Sequence, residues 1–337
     1  MSYQVTLKPS NHKFNVNADE TVLEAALRQG YNLNYGCRNG ACGSCMGKVL
    51  EGSVTYADRP RAALDSDDEA DGQALFCQAV PTSDLIIEAL EIGAVKDIPI
   101  KTLPCKVAAL ERLNHDVMLV KLKLPTTERM QFLAGQYIDF LLKDGRRRSF
   151  SIANPPHEDE FIELHIRHVE GGRFTSEVFD AMHTKDLVRI QGPLGTFFLR
   201  EDSSRPVIFM VGGTGFGPIK GIIEHALAMK IERPMHLYWG ARAKEDLYMD
   251  EQAKAWTRIN PLIRYTPVLS EPKDEDLWQG RTGFVHEAIA ADHADLSNYE
   301  IYASGPPVMV YAGKDVFEKQ GLDLQHYFSD AFEFAKD

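Results

Sequence analysis

Gly36-Cys37-Arg38-Asn39-Gly40-Ala41-Cys42-Gly43-Ser44-Cys45 holds three of the chain's five cysteines, and Cys77 stands alone thirty-two positions further on. C-x4-C-x2-C followed by a distant fourth cysteine is the spacing of thiolates around a [2Fe–2S] cluster with a potential near about −400 mV. Three ligands on one loop require small neighbours, so that backbone N–H groups can approach the sulfurs, and this loop is built from Gly, Ala and Ser. A structural zinc site usually draws on two separated C-x2-C knuckles, and only Cys42 and Cys45 have that form. Zinc and unliganded core cysteines are therefore the poorer readings. Cys105 starts an apolar, strand-like segment and is expected to be a small buried hydrophobe rather than a ligand.

At 337 residues the chain exceeds one ordinary core, and its patterning suggests three domains. No basic-then-apolar leader opens it, and no apolar run approaches the roughly 18 residues of a membrane span. A soluble, cytoplasmic protein with reduced cysteines is expected. The net charge of −12 argues against nonspecific nucleic-acid binding, which depends on Lys and Arg neutralising phosphates. Residues 1–100 hold eight Lys and Arg against fourteen Asp and Glu, half of the net negative charge. That excess suits a partner with a basic surface. Its densest run, Asp65 to Gly72, reads first as a solvated loop and second as a docking element.

Short strands are expected at Tyr3–Leu7 and Lys13–Val16, then a helix opened by the capping box Thr21-x-x-Glu24 and stopped by Gly30. Met46–Leu50, Ser53–Tyr56, Ala74–Val80 and Leu85–Leu90 complete a mixed sheet with one main helix. With their cysteines, residues 1–98 resemble a plant-type ferredoxin along their whole length, a resemblance that implies a β-grasp fold. The 31 residues between Cys45 and Cys77 are slightly more than is usual in that family. Residues 99–103, part of a stretch with two prolines, read as a semi-rigid linker.

Between 104 and 202 short strand candidates recur, the pattern of a small antiparallel barrel. From 203 to 337 strands alternate with helices, as in a doubly wound parallel sheet. Arg148-Ser149-Phe150-Ser151 lies in the barrel segment, and Gly171-Gly172-Arg173-Phe174-Thr175-Ser176 leads into a helix expected at Glu177–Met182. Exposed N–H groups at such a turn can hold a phosphate. In this order the two motifs resemble the flavin domain of the ferredoxin–NADP reductase superfamily, which implies a Greek-key barrel holding FAD. By position, the resemblance puts Arg148 on the flavin phosphates, Phe150 against the isoalloxazine and Ser151 near its reactive nitrogen. Phe150 stands where the family has Tyr and lacks its hydroxyl. Gly172, Thr175 and Ser176 match the pyrophosphate turn.

The strand Val207–Val211 runs into Gly212-Gly213-Thr214-Gly215-Phe216-Gly217-Pro218. This departs from G-x-G-x-x-G and matches the superfamily's GTGxxP element through Gly213, Thr214, Gly215 and Pro218, implying a dinucleotide pyrophosphate at the helix start. Ser304-Gly305-Pro306-Pro307 resembles the family's CGPP element beside the nicotinamide, with Ser304 in place of Cys. The aromatic run from Tyr327 to Phe334 either covers the flavin, as family C-termini often do, or packs as an ordinary core strand.

A dinucleotide hydride carries two electrons and a [2Fe–2S] cluster takes one, so a flavin between NADH and the cluster divides the pair. No nucleophile or general base is then required, and none of the eleven histidines pairs at metal-ligand spacing. The order ferredoxin, flavin barrel, nucleotide domain resembles the reductase components of ring-hydroxylating oxygenases, the benzoate, toluate and anthranilate type in particular. The resemblance implies a terminal Rieske-type oxygenase as partner and NADH as donor. A drop from about −400 to about −150 mV would favour transfer to a Rieske centre by roughly 10⁴-fold. A reductase for a di-iron monooxygenase or a membrane hydroxylase is the nearest alternative, and a non-enzymatic redox sensor the more distant one.

Overall fold

The computed structural model describes residues 2–332, and the chain divides into two compact units, 1–99 and 100–337. In the first, β1 (Tyr3–Lys8) pairs antiparallel with β2 (His12–Val16) and parallel with β7 (Leu85–Glu88). β7 continues to β3 (Met46–Glu51), and β3 to β5 (Gln73–Leu75), giving the order β2-β1-β7-β3-β5. A two-stranded ribbon joins β4 (Val54–Thr55) to β6 (Val80–Pro81). Val5, Leu7, Phe14 and Val16 alternate inward along the first hairpin. Helix α1 (Val22–Arg28) buries Val22, Leu23, Ala25 and Ala26 and has the expected start: Glu24 N–H donates to Thr21 Oγ1, and Thr21 N–H to Glu24 Oε2 at 3.0 Å. A mixed sheet grasping one helix is the β-grasp arrangement.

Two expectations change here. Ala74–Val80 is not one strand: it breaks after Leu75, where Gln78 N–H and Ala79 N–H both bond back to Leu75 O at 2.9 Å in a tight turn that carries Cys77. The acidic run is no plain loop. Asp65 caps a short helix, α2 (Ser66–Ala70), by accepting from Asp67 N–H and Asp68 N–H.

The second unit contains two six-stranded sheets. The first joins β8 (Lys101–Arg112), β9 (Val117–Lys123), β10 (Tyr137–Leu141), β11 (Arg147–Ser151), β12 (Phe161–Arg167) and β13 (Leu187–Leu194) in the order β11-β10-β13-β8-β9-β12, every neighbour antiparallel. A bridge between Ile152 and Leu164 joins its two edges and closes the barrel. Val107, Val120, Leu122, Ile138, Phe140, Ile162 and Leu164 fill it, and helix α3 (Arg173–Asp180) adds Phe174 and Val178. Lys101–Leu103 is strand rather than linker, paired to Gly192–Ile190, because the alternating burial that holds β8 in the barrel begins before Pro104. Helix α3 starts at Arg173 and not at Glu177, since Gly172 already serves as its N-cap.

The second sheet is wholly parallel: β14 (Val207–Gly212), β15 (Met235–Ala241), β16 (Ile263–Leu269), β17 (Arg281–Thr282), β18 (Glu300–Gly305) and β19 (Tyr327–Ala331), in the order β17-β16-β15-β14-β18-β19. Helices α4 (Phe216–Ala228), α5 (Asp250–Ile259), α6 (Val285–Asp292) and α7 (Pro307–Lys319) cover it. Phe216 stacks on Trp239 at 4.0 Å and on Trp256 at 5.6 Å, locking the start of α4 to the sheet. The chain leaves β14 towards β15 on one side and returns through β18 on the other. The crevice at that reversal is where such sheets take their ligands. Part of the aromatic C-terminal run is the edge strand β19, while Glu333 and Phe334 lie outside the described residues.

Candidate functional site

Strand pairing accounts for the meeting of Cys77 with the three cysteines of the loop. β3 begins directly after Cys45 and β5 ends just before the Cys77 turn, and the register sets Met46 opposite Leu75. Phe76 N–H then donates to Cys45 O at 3.2 Å, and Gln78 Nε2 ties the turn to Arg38 O at 2.8 Å. Within the loop, Cys37 N–H donates to Cys42 Sγ and Cys42 N–H to Cys37 Sγ, both at 3.4 Å. The thiols fall into interacting pairs. Donation from the Cys37 thiol lowers Cys42 to about 6 against the effect of burial, and raises Cys37 in return. Cys45 is raised and Cys77 lowered in the same way.

Two glycines of the loop stand where a side chain would collide with it or its surroundings. A Cβ on Gly36 would lie 3.3 Å from Cys42 Sγ, and one on Gly40, at φ +81°, only 2.1 Å from Pro60 O. Four convergent sulfurs with amides turned towards them fit a [2Fe–2S] cluster. Cys105 is buried in the barrel core, apart from this set, and burial pushes its thiol up to about 12.

On the barrel, alternation along β11 puts Arg148 and Phe150 on one face and Ser149 and Ser151 on the other. The Phe150 ring is half-buried with Phe140 at 5.8 Å and Phe174 at 5.7 Å. Ser149 Oγ donates to Asp139 Oδ1 at 2.7 Å, and Ser151 Oγ to Asp330 Oδ2 at 2.7 Å. At the glycine turn, Thr175 Oγ1 accepts from Val169 N–H at 3.2 Å and donates to Gly172 O at 3.2 Å. Ser176 Oγ lies 3.3 Å from His168 Nε2. Gly172 caps α3 and makes no side-chain cap hydrogen bond, so the start of the helix suits a phosphate.

At the reversal of the parallel sheet, Val211 lies opposite Ser304, so the turn Gly213-Thr214-Gly215 and the segment Ser304-Gly305-Pro306 emerge side by side. They touch closely. A Cβ on Gly215 would stand 2.0 Å from Ser304 O, and one on Gly212 2.7 Å from Pro306 Cδ. Pro218 sits in the first turn of α4, where its missing N–H is not needed. Ser304 is fully buried, and its Oγ has no hydrogen-bond partner among the described residues. Arg167, at the end of β12, reaches over the turn, its Nη1 2.8 Å from where a Gly213 Cβ would be. These glycines let the turn pack backbone to backbone against β18, and the amides at the start of α4 beside it fit a dinucleotide pyrophosphate.

The models of three domain families match the chain: a 2Fe-2S iron-sulfur cluster binding domain over residues 5–82, an oxidoreductase FAD-binding domain over 104–199 and an oxidoreductase NAD-binding domain over 209–315. The CDP-6-deoxy-L-threo-D-glycero-4-hexulose-3-dehydrase reductase of Yersinia pestis is 40% identical, covering 98% of this chain and 99% of its own. The chain belongs to the iron–sulfur flavoprotein reductases. The terephthalate 1,2-dioxygenase reductase component 2 of a Comamonas species is 33% identical over 98% of both chains. Among solved structures, the Amycolatopsis cytochrome P450 reductase GcoB is 32% identical with a TM-score of 0.81, covering 98% of each chain. This reductase is accordingly an NAD(H)-dependent oxidoreductase with a [2Fe–2S] cluster, FAD and NAD as cofactors.

Several residues at these sites had no signal in the sequence. Asp330 reaches Ser151 across 179 positions. Arg167 bonds Asp116 Oδ2 through Nε at 2.7 Å. His115, Asp116 and Asp246 bring three potential ligand atoms within 4.8 Å of one another. Arg167 and Arg242 stand within 4.0 Å of those carboxylates and supply the positive charge a cation would bring. Among the described residues no helix is long and apolar enough to cross a membrane.

Proposed function

We propose that this reductase takes a hydride from NADH at the reversal of its parallel sheet, passes the electrons through FAD on the barrel to a [2Fe–2S] cluster on Cys37, Cys42, Cys45 and Cys77, and delivers them singly to a partner enzyme. The observation that carries this reading is the presence, in one chain, of a four-cysteine site suited to one-electron chemistry and a glycine turn suited to a two-electron donor. Bound FAD supplies the exchange between the two. The chain's own residues bind and orient: Arg148 and the Gly172, Thr175 and Ser176 turn hold flavin phosphates, Phe150 offers a ring face, and Ser151, fixed by Asp330, presents a hydroxyl. Gly213, Thr214, Gly215 and Pro218 receive the dinucleotide, with Ser304, Gly305 and Pro306 beside its nicotinamide. In domain terms, residues 1–98 carry the cluster, 104–202 the flavin and 203–337 the nucleotide.

A Rieske-type oxygenase of the benzoate class is the acceptor expected from the sequence, and the Comamonas terephthalate dioxygenase relative supports an aromatic-ring oxygenase of that general kind. A second reading rests on a different observation. At 40% identity the Yersinia relative serves, by its name, a CDP-hexulose dehydrase, so a nucleotide-sugar dehydrase is an equally concrete acceptor. Reconstitution separates them. The purified holoprotein is reduced with NADH while cluster absorbance is followed, then offered a benzoate-type oxygenase or a CDP-sugar dehydrase in turn. Product with one partner and not the other assigns the acceptor. A cluster that NADH leaves oxidised would overturn the whole electron path.

A further inference from the structure

Helix α4 begins at the nucleotide turn and lies against the chain that leaves the flavin strand. Gly217 and Gly221, four residues apart, share the face turned to it, and the close approach is made at Gly221. A Cβ on Gly217 would lie 3.6 Å from Ala153 Cβ and 3.6 Å from His165 Nδ1. On Gly221 it would meet Asn154 O at 3.1 Å. At Gly221 backbone therefore rests almost on backbone, two and three residues beyond Ser151, while Gly217 faces the side chains of Ala153 and His165 at ordinary contact distance.

Lys220, between these glycines, is buried. Its Nζ donates to Ala153 O at 3.2 Å and to Glu224 Oε2 at 2.9 Å, and stands 3.1 Å from Glu163 Oε1 on β12. The same Glu163 oxygen lies 3.4 Å from His165 Nε2, while Glu163 Oε2 is 3.4 Å from Lys121 Nζ at the rim. His165 Nδ1 is 3.1 Å from the Tyr248 hydroxyl. Burial would raise the Glu163 carboxyl, but His165 and Lys220 hold it down at about 2. Burial would lower Lys220, and its two glutamates raise it. Lys220 thus faces two carboxylates, while Glu163 Oε1 and His165 Nε2 are buried without a hydrogen bond of their own among the described residues. Ion pairs so placed rarely add net stability over well-packed apolar residues of the same volume, so their use here is in geometry.

We propose that Lys220 is a positioning residue for hydride transfer, fixing α4 to Ala153 and Glu163 and so setting the spacing between the flavin strand and the nucleotide turn. This rests on the placement of FAD and NADH given above. The step positioned is NADH + H⁺ + FAD → NAD⁺ + FADH₂, in which the C4–H bond of the dihydronicotinamide breaks with its electron pair, the hydride forming one N–H bond on the flavin and the proton from solvent a second. A displacement of about 1 Å between reacting groups can cost on the order of 10²-fold in rate, and no other buried ammonium among the described residues bridges these elements.

The test uses the holoprotein with cluster and FAD. One variant combines Lys220→Met with Glu163→Gln and Glu224→Gln, leaving no stranded carboxylate; a second is Gly221→Ala, which presses on Asn154 O while favouring the helix. Measured are FAD content, hydrogen exchange over residues 216–228, NADH affinity and the limiting rate of flavin bleaching in stopped flow. We expect full FAD content, faster exchange over 216–228, NADH affinity within about threefold of wild type, and a limiting rate lower by about tenfold or more. A limiting rate within about twofold of wild type while exchange has risen would overturn the proposal, as would a defect lying wholly in NADH affinity. If the triple variant loses FAD, Gly221→Ala decides alone: with FAD content and NADH affinity kept, a limiting rate lower by about tenfold or more supports the proposal and one within about twofold of wild type overturns it. A wild-type flavin that NADH fails to bleach would refute instead the cofactor placement beneath it, and is measured first.

Discussion

Replacing Gly215 by alanine should separate nucleotide chemistry from everything else the protein does. The new methyl would sit 2.0 Å from Ser304 O, 2.4 Å from Ser304 C and 2.8 Å from Gly305 N. Carbon–oxygen contacts run to about 3.3 Å or more, so the turn and β18 must part by roughly 1.3 Å. All three obstructing atoms are backbone, in a strand paired on both sides to β14 and β19, so no side-chain rotation relieves the clash. Overpacking of this kind costs about 1–3 kcal/mol, against the roughly 5–15 kcal/mol of a typical native protein, so the chain stays folded. The functional effect is larger. Opening the gap between Gly213–Gly215 and Ser304–Pro306 moves one wall of the dinucleotide crevice, and a shift of about 1 Å is worth on the order of 10²-fold. We expect kcat/KM for NADH, measured with ferricyanide as acceptor, to fall about 100-fold while the FAD spectrum and dithionite reduction of the cluster stay normal. A G215A protein within about threefold of wild type would refute the placement of NADH at this crevice.

Cys42→Ser should abolish the [2Fe–2S] absorbance and cluster-dependent cytochrome reduction while NADH still bleaches the flavin, and Cys105→Ser should leave the cluster spectrum unchanged; the opposite pattern would reassign the ligands. NADH should give a larger kcat/KM than NADPH, because Arg242, the obvious partner for a 2′-phosphate, already lies 3.9 Å from Asp246 and 4.0 Å from Asp116; a preference for NADPH would sink this. Coupled turnover with the partner enzyme should fall as salt rises, since screening limits surface charge to about 8 Å at 0.15 M, whereas NADH-to-ferricyanide turnover should hold steady. Neutralising Asp67, Asp68 and Glu69 on α2 should reproduce that loss at low salt, and salt-independent coupling would replace steering with an apolar contact.

Local chemistry was easily read from the sequence. The C-x4-C-x2-C loop, the capping box of α1 and the strand–glycine turn–helix at Val207–Pro218 each declare themselves within a dozen residues, because the physical requirement is itself local. The break at Cys77 leaves no mark in the sequence, because Ala74–Val80 is continuously apolar but for Gln78, and composition alone cannot tell a strand from a buried turn. Lys101–Leu103 reads as linker because Pro99 and Pro104 flank it, although its pairing is decided by β13, some ninety residues away. Contacts between the barrel and the parallel sheet were wholly out of reach. Neither the bond from Ser151 to Asp330 nor that from Lys220 to Ala153 leaves a periodicity, since each depends on where two separately folded sheets meet.

The bond between Ser151 and Asp330 also bears on how the protein is made. The four cysteines of the first unit have all been translated by residue 77, whereas the carboxylate that fixes Ser151 is added some 250 residues later. At roughly 5–20 residues per second, about ten to fifty seconds of synthesis separate the two events. Iron–sulfur assembly can thus engage a finished amino-terminal unit while the flavin strand still waits for its last partner. A chain cut short before β19 is therefore expected to acquire iron yet retain flavin poorly, and the iron-to-flavin ratio of translation products stopped at different lengths would measure that order directly.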